Sequence, residues 1–289
     1  MNKKRKIEIT MFLVGSIVAI LIAISLVYYL RAGSPLESPP DETFSTGLSD
    51  VPLEPVDSAE PAVSNINAQA IKEAVEEWSK TVTGAYAITI LDRNGQVIVN
   101  SSGDKTFFAA SLYKLFTAYA GYQRVDEGVF SLNDTVVGGK SRKQCLDEMI
   151  KNSDSPCAEA LRAEIGSDLI DKEIRNLGIT NTSVTDLTTT SHDNAKMLKL
   201  IWEGEGLSDA SRRLFLDSLS KQIYDDALRA GFESSKVYDK VGFRNYDEYH
   251  DVAIVELSNK EVIYVSVLTN KVGTTSIARL ASSIEQAAL

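Results

Sequence analysis

Phe107-Phe108-Ala109-Ala110-Ser111-Leu112-Tyr113-Lys114-Leu115-Phe116-Thr117-Ala118-Tyr119-Ala120 is an apolar run interrupted by Ser111, Lys114 and Thr117. Residues three apart on a helix share a face. The spacing therefore predicts a helix from Ser111 to about Tyr122, with the Lys114 amine within reach of the Ser111 hydroxyl. A serine hydroxyl is a poor nucleophile until a neighbour takes its proton and donors hold the oxyanion that follows. The first turn of a helix adds unpaired N–H groups and the positive end of the helix dipole. One turn thus offers a nucleophile and a base, although S-x-x-K taken alone is common by chance.

The surroundings of this run have the pattern of one mixed domain. Upstream, Asn67 to Lys80 reads as a helix with Ile71, Ala74, Val75 and Trp78 on one face. A hairpin follows, Ala85 to Leu91 and Gln96 to Asn100, turning at Arg93-Asn94-Gly95. Downstream, helices are expected from Arg142 to Lys151, from Ala158 through Ile165 and from Asp193 to Trp202. Strands are expected at Lys236 to Gly242, Val252 to Leu257 and Val262 to Thr269, before a last helix from about Ser276 to Ala288. This order predicts an α/β domain of the α+β kind. An antiparallel sheet of about five strands, formed from both chain ends and flanked by helices, would stand beside an all-helical lobe. The site would lie in the cleft between them.

Two further polar elements fall within this frame. Ser153-Asp154-Ser155 follows the apolar, helix-like stretch Cys145 to Ile150, and Lys240-Val241-Gly242 follows the strand-like Lys236 to Tyr238. In order and type the three elements resemble the S-x-x-K, S-D-N and K-T-G set of class A β-lactamases and penicillin-binding proteins. The resemblance covers about residues 67 to 289. Phe107, four residues before the serine, fits it, as do Ala230-Gly231-Phe232 and the closing hairpin around Ser258-Asn259-Lys260.

The resemblance implies a β-lactamase- or transpeptidase-like fold and an acyl-transfer site with no cofactor. Ser111 would attack a lactam carbonyl or the amide of a D-Ala-D-Ala-like peptide. Lys114 would accept its proton, directly or through water. Ser153 would pass a proton to the leaving nitrogen, with Lys240 holding that hydroxyl and the substrate carboxylate by charge. Gly242 and Phe243 would line the substrate, the backbone N–H groups of Ser111 and Phe243 forming the oxyanion hole. Cys145 and Cys157, the two cysteines of the chain, flank the Ser-Asp-Ser element. An exported domain permits a disulfide, which would clamp the loop bearing Ser153. Two buried thiols packed as small apolar residues are the alternative.

Several positions depart from the family pattern. Val241 stands where a Thr or Ser donates to the substrate carboxylate, and losing a hydrogen bond to a charged group costs roughly 1.5 to 3 kcal/mol. Arg244 lies close enough in sequence to offer a replacement. Ser155 replaces an Asn and reaches less far toward a substrate amide. Between Gly178 and Thr188 the class A enzymes carry a loop with a Glu that activates the deacylating water. Here Ile179 to Leu187 hold no Glu, and Asp186 is the sole carboxylate, expected to cap or turn. The segment between Asn133 and Arg142 is also short, which predicts an open cleft.

At the N-terminus, Lys3, Lys4, Arg5 and Lys6 precede an uncharged run from Met11 to Leu30, about the twenty residues needed to cross a bilayer. The positive flank predicts a cytoplasmic N-terminus and an extracytoplasmic remainder, so residues 1–31 read as a basic flank and single-pass membrane anchor. A cleaved signal peptide is the rival reading, but the run is long for one and no clear small-x-small site precedes Gly33. Residues 32–65, rich in Pro, Ser, Asp and Glu, read as an unfolded tether, leaving 66–289 as the catalytic domain. The net charge of -10 argues against nucleic acid as a partner. A metal site is not expected, since His192 and His250 are the chain's two histidines and no ligand spacing appears.

Three functions fit these readings. The first is a membrane-anchored serine hydrolase that opens β-lactams, slowly in the absence of the Glu. The second is a penicillin-binding D,D-peptidase acting on peptidoglycan stem peptides. A catalytically silent cell-wall-binding domain is the third, and the retained Ser111, Lys114, Ser153 and Lys240 argue against it.

Overall fold

In the computed structural model, which describes residues 66–289 apart from 246, the Asn67 side chain accepts from the Ala70 N–H and starts α1 (Ala68–Ser79). Ile71, Val75 and Trp78 form the buried stripe of this helix. The hairpin of β1 (Ala85–Asp92) and β2 (Val97–Ser101) comes next, then the short β3 (Phe107–Phe108). A single 3-10 turn, Ala110–Leu112, leads into α2 (Tyr113–Asp126). Every residue of α2 from Tyr113 to Tyr122 is buried, which marks it as a central core helix.

β4 (Thr135–Val137) and β5 (Lys140–Ser141) make a small hairpin over the start of α3 (Arg142–Lys151), which a reciprocal Ser141–Gln144 capping box opens. α4 (Ser155–Ile165) is capped by Asp154 and has Pro156 in its first turn. α5 (Ser167–Asn176), β6 (Thr188–Thr189), α6 (Ser191–Glu203) and α7 (Asp209–Ser220) complete the lobe, and the one-turn α8 (Leu228–Gly231) packs on the other face of the sheet against the C-terminal helix. The chain then returns to the sheet through β7 (Lys236–Arg244), β8 (Glu248–Glu256) and β9 (Val262–Asn270), and ends in α9 (Thr274–Ala288).

The sheet has five strands in the order β2-β1-β9-β8-β7, all neighbours antiparallel, so it is built from both ends of the described chain as expected. One apolar core lies between the sheet and the lobe, with Leu112, Phe116, Tyr238, Ile254 and Tyr264 among its members. A second core lies on the opposite face, where Val237, Ala253 and Val265 meet Trp78 of α1 and Ile277 and Leu280 of α9. β7 is the outer strand beside the 3-10 turn, which leaves alternate backbone groups along it without a strand partner.

Some boundaries differ from those expected. Ser111 lies in the 3-10 turn rather than inside the α-helix, because Ala110 takes a positive φ of 45° and the chain turns sharply there. β8 starts at Glu248, not Val252, since Tyr249, His250 and Asp251 pair with Thr269, Leu268 and Val267 despite their polarity. The helix expected at Ala158 begins three residues earlier, where Asp154 and Pro156 start it. α5, α7 and α8 were not expected. The basic flank, the apolar run and the tether lie outside the described residues. Among the described residues no helix is long and apolar enough to cross a membrane.

Candidate active site

Ser111 is held from three directions. Ahead of it, the Ala109 N–H donates to Leu187 O at 2.7 Å. His250 accepts the Thr269 N–H on Nδ1 at 3.1 Å, which leaves Nε2–H to donate to Phe108 O at 2.8 Å and ties the sheet to the strand leading into the turn. Burial lowers the His250 pKa and favours this neutral form. Gly242 of β7 packs directly on the turn. A Cβ there would stand 3.1 Å from both Ala109 O and Ser111 N, so only glycine allows this approach without moving the serine.

Lys114, one turn into the lobe, is buried with its amine turned toward the Ser153 loop. Nζ donates to Ser153 O at 2.6 Å and to Ser155 Oγ at 3.2 Å. The Ser111 hydroxyl makes no hydrogen bond among the described residues. Ser155 therefore meets the lysine, in addition to any reach toward a substrate. From the sheet side, the Lys240 amine, also fully buried, donates to Ser153 Oγ at 2.5 Å and to Val241 O at 2.9 Å. Two amines thus converge on one serine, one at its backbone and one at its hydroxyl.

Burial lowers both amines. Lys114 falls to about 8, with the charges of Asp154 and Glu159 opposing the drop. Lys240 falls to about 7, through burial first and then the charge of Lys114, against the pull of Asp239 and Asp251. Those two carboxyls sit fully buried on the reverse face of the sheet from Lys240. Asp239 is ion-paired to Arg229, and Asp251 accepts the Leu228 N–H at 2.8 Å. Burial pushes Asp239 up to about 6 despite Arg229. It pushes Asp251 well above the usual carboxylate range, helped by the charge of Asp239.

The loop that carries Ser153 is strained and strongly braced. Ser153 has a φ of 55°, an unusual left-handed backbone for a serine. Asp154 accepts from the Cys157 N–H and from Lys140 Nζ, both at 2.8 Å. Cys145 and Cys157 form a disulfide, buried, joining α3 to α4 across the loop. Closing a loop of this size is worth about 3 kcal/mol. Replacing both cysteines by alanine is expected to lower unfolding free energy by about that amount in a denaturant titration, with the fold retained.

The remaining expected site residues are placed as follows. Val241 is buried with Asp251 as its cross-strand neighbour. Phe243 projects from the outer strand with 46% of its surface exposed. Arg244 donates from Nε to Glu248 at 2.6 Å and from Nη2 at 2.9 Å, and its guanidinium lies 3.8 Å from the Phe108 ring centre. In the segment before Thr188, Asp186 turns back to accept from Ser183 Oγ at 3.3 Å. Asp171 of α5 ties that segment down, accepting the Val184 N–H at 2.5 Å and Ser183 Oγ at 2.9 Å. Sequence reading missed Glu159, the buried Asp239 and Asp251, and the half-buried Arg229. Asp239 stands next to Lys240 and could have been flagged on that ground.

The sequence profile of the β-lactamase enzyme family matches residues 67–288. The chain belongs to that family. Beta-lactamase 3 of Bacillus cereus is 28% identical over a stretch covering 46% of this chain and 47% of that protein, so the chain spans about half the length of the curated relative it matches. Solved structures agree on the fold. A β-lactamase from Xanthomonas campestris pv. campestris superposes with a TM-score of 0.70 at 22% identity, covering 76% of this chain and 98% of that one. PBP-A gives 0.68 at 20% identity, over 76% and 95% of the two chains. An ancestral class A β-lactamase gives 0.68 at 23% identity, over 75% and 99%.

Proposed function

We propose that Ser111 is the nucleophile of an acyl-transfer reaction on β-lactams or D-Ala-D-Ala-like amides, followed by slow hydrolysis of the acyl-enzyme. The convergence of the Lys114 and Lys240 amines on Ser153, beside a serine on which Gly242 is packed, carries this reading. A neutral Lys114 amine has two N–H groups and one lone pair. Its two partners, Ser153 O and Ser155 Oγ, use the N–H groups and leave the lone pair for a proton. The Ser111 hydroxyl gives up that proton as its Oγ bonds to the carbonyl carbon, and the carbonyl oxygen takes the negative charge toward the Ser111 and Phe243 N–H groups. When the C–N bond breaks, the nitrogen takes a proton from Ser153 Oγ, which Lys240 Nζ resupplies. A solved mutant of PBP-A held as an acyl-enzyme with penicillin G supports the choice of probe.

The second reading, a D,D-peptidase whose penicillin adduct persists, is favoured by the segment Ile179 to Leu187, whose one carboxylate is turned onto Ser183. A substitution at Glu159 tests between them. Its charge acts on Lys114, it is exposed, and it has no hydrogen-bond or ion-pair partner among the described residues. Asp154, the other carboxylate acting on Lys114, is held by Lys140 and the Cys157 N–H. Glu159 is thus the unengaged carboxylate whose charge acts on Lys114, and the one to test for water activation. Glu159→Gln is expected to lengthen the life of the penicillin adduct by roughly 10²-fold, with acylation little changed, as followed by intact mass. An unchanged lifetime would remove Glu159 from deacylation.

The basic flank and the apolar run from Met11 to Leu30 support a single-pass anchor with the catalytic domain outside the cytoplasm. Anchored there on its tether, the site would meet β-lactams and cell-wall peptides directly. Fractionation of the expressed full chain with membranes, and its release by protease from intact cells, tests this topology.

A further inference from the structure

Three cations around the β7 end of the cleft, Lys240, Arg229 and Arg244, are already engaged. Lys240 is fully buried and donates to Ser153 Oγ and Val241 O. Arg229 is paired with Asp239 behind the strand. Arg244 gives two N–H groups to Glu248 and stacks on Phe108. Val241 offers no donor, and its cross-strand neighbour is the carboxyl of Asp251.

What this end of the cleft presents instead is aromatic. The segment from Gln222 to Ala227 runs from the Ser153 loop to β7: Gln222 Nε2 donates to Ile150 O at 2.9 Å and the Ile223 N–H to Lys151 O at 3.2 Å. From it Tyr224 meets the Phe243 ring edge-on at 5.3 Å between centres, and Phe243 stacks on Tyr249 at 6.2 Å. The Tyr249 hydroxyl donates to Asp226 at 2.8 Å, and Asp225 and Asp226 are both exposed. A carboxylate leaves water only for partners that replace its hydration. Here it would meet ring faces, which carry negative charge density, and two carboxylates. An apolar or planar neutral group would bury against Phe243 and Tyr224.

We infer that the Tyr224–Phe243–Tyr249 ladder selects acyl donors whose leaving side bears no free carboxylate, the carboxyl being amidated, esterified or absent. This narrows the acyl-transfer reading above and rests on it. In a peptide, the chemistry fits an internal or amidated bond in preference to a free C-terminal residue.

The test compares benzylpenicillin with its methyl ester on the full-length chain in detergent, by intact mass, each acylation rate divided by that compound's own rate of hydroxide opening. The ester is expected to acylate at least as fast as the acid; a faster acid overturns the inference. Val241→Thr, which restores a donor, is expected to raise the rate of the acid by roughly tenfold relative to the ester. Tyr224→Ala, on the loop and outside the sheet, is expected to slow the ester by roughly threefold more than the acid. If neither variant moves the ratio, the ladder does not select. If neither compound adds mass, the acyl-enzyme reading itself fails and takes the inference with it.

Discussion

Ser111→Ala is expected to abolish covalent labelling by a penicillin while leaving thermal stability nearly unchanged. The two halves of this expectation have separate grounds. Labelling requires an oxygen that can bond to the carbonyl carbon, and Ser111 is the serine placed beside Gly242 with its hydroxyl unengaged among the described residues. Stability should hold because the side chain is only partly buried and makes no hydrogen bond that its loss would orphan. Such changes usually stay within about 0.5 kcal/mol. The turn is kept by backbone contacts, Leu112 N–H to Ala109 O at 2.9 Å and Ala109 N–H to Leu187 O, which alanine retains. Labelling that survives would move the nucleophile elsewhere, with Ser153 the first alternative to test. A large drop in melting temperature would instead give the hydroxyl a structural role in the turn.

The parts of this molecule governed by local pattern were readable from the chain alone. Ile71, Val75 and Trp78 recur at helical spacing, and the buried faces of β1 and β9 follow from their apolar runs, so α1, the first hairpin and β9 fell nearly where expected. The cysteine pair was legible from its count and from the compartment expected for the domain. What was not legible depends on contacts between distant segments. The positive φ at Ala110 belongs to the tight turn against which Gly242 of β7 packs, more than a hundred residues later. α5 exposes most of its polar sequence and buries only Ile170, Asp171 and Ile174, a stripe too thin to stand out. Asp239 and Asp251 look like surface carboxylates until β7 and β8 pair and α8 closes over them with Arg229. For the site, residue types and order carried the identities. The direction of each amine came only from the fold: S-x-x-K spacing suggested that Lys114 faces Ser111, whereas its amine donates to the Ser153 loop.

Lys114→Ala is expected to slow acylation by about 10² to 10⁴-fold, the usual contribution of a positioned general base. Its fall from 10.5 to about 8 raises the neutral fraction at pH 7 by roughly 300-fold. The base form is the deprotonated one, so the acylation rate should climb as pH rises toward about 8, and fall above it as Lys240 loses the proton it supplies through Ser153. Lys240, at about 7, titrates in the same range, and each amine's charge disfavours the other's, so the rate profile reports the pair and not one residue. Between the two protonation steps the pair shares one proton, which the values of about 8 and about 7 leave mostly on Lys114, and acylation draws on the form that has it on Lys240. That form supplies a proton acceptor for Ser111 and a proton donor for Ser153 at once. The alanine variant also strips a donor from Ser153 O and Ser155 Oγ, so rate loss alone would not separate chemistry from support. Lys114→Arg does separate them, because arginine keeps charge and donors but cannot give up its proton near neutral pH. An arginine variant as slow as alanine, with the climb toward pH 8 gone from both, identifies Lys114 as the base. Recovery of the rate by arginine would reduce Lys114 to a brace for the Ser153 loop, and a near-normal rate in the alanine variant would sink both roles.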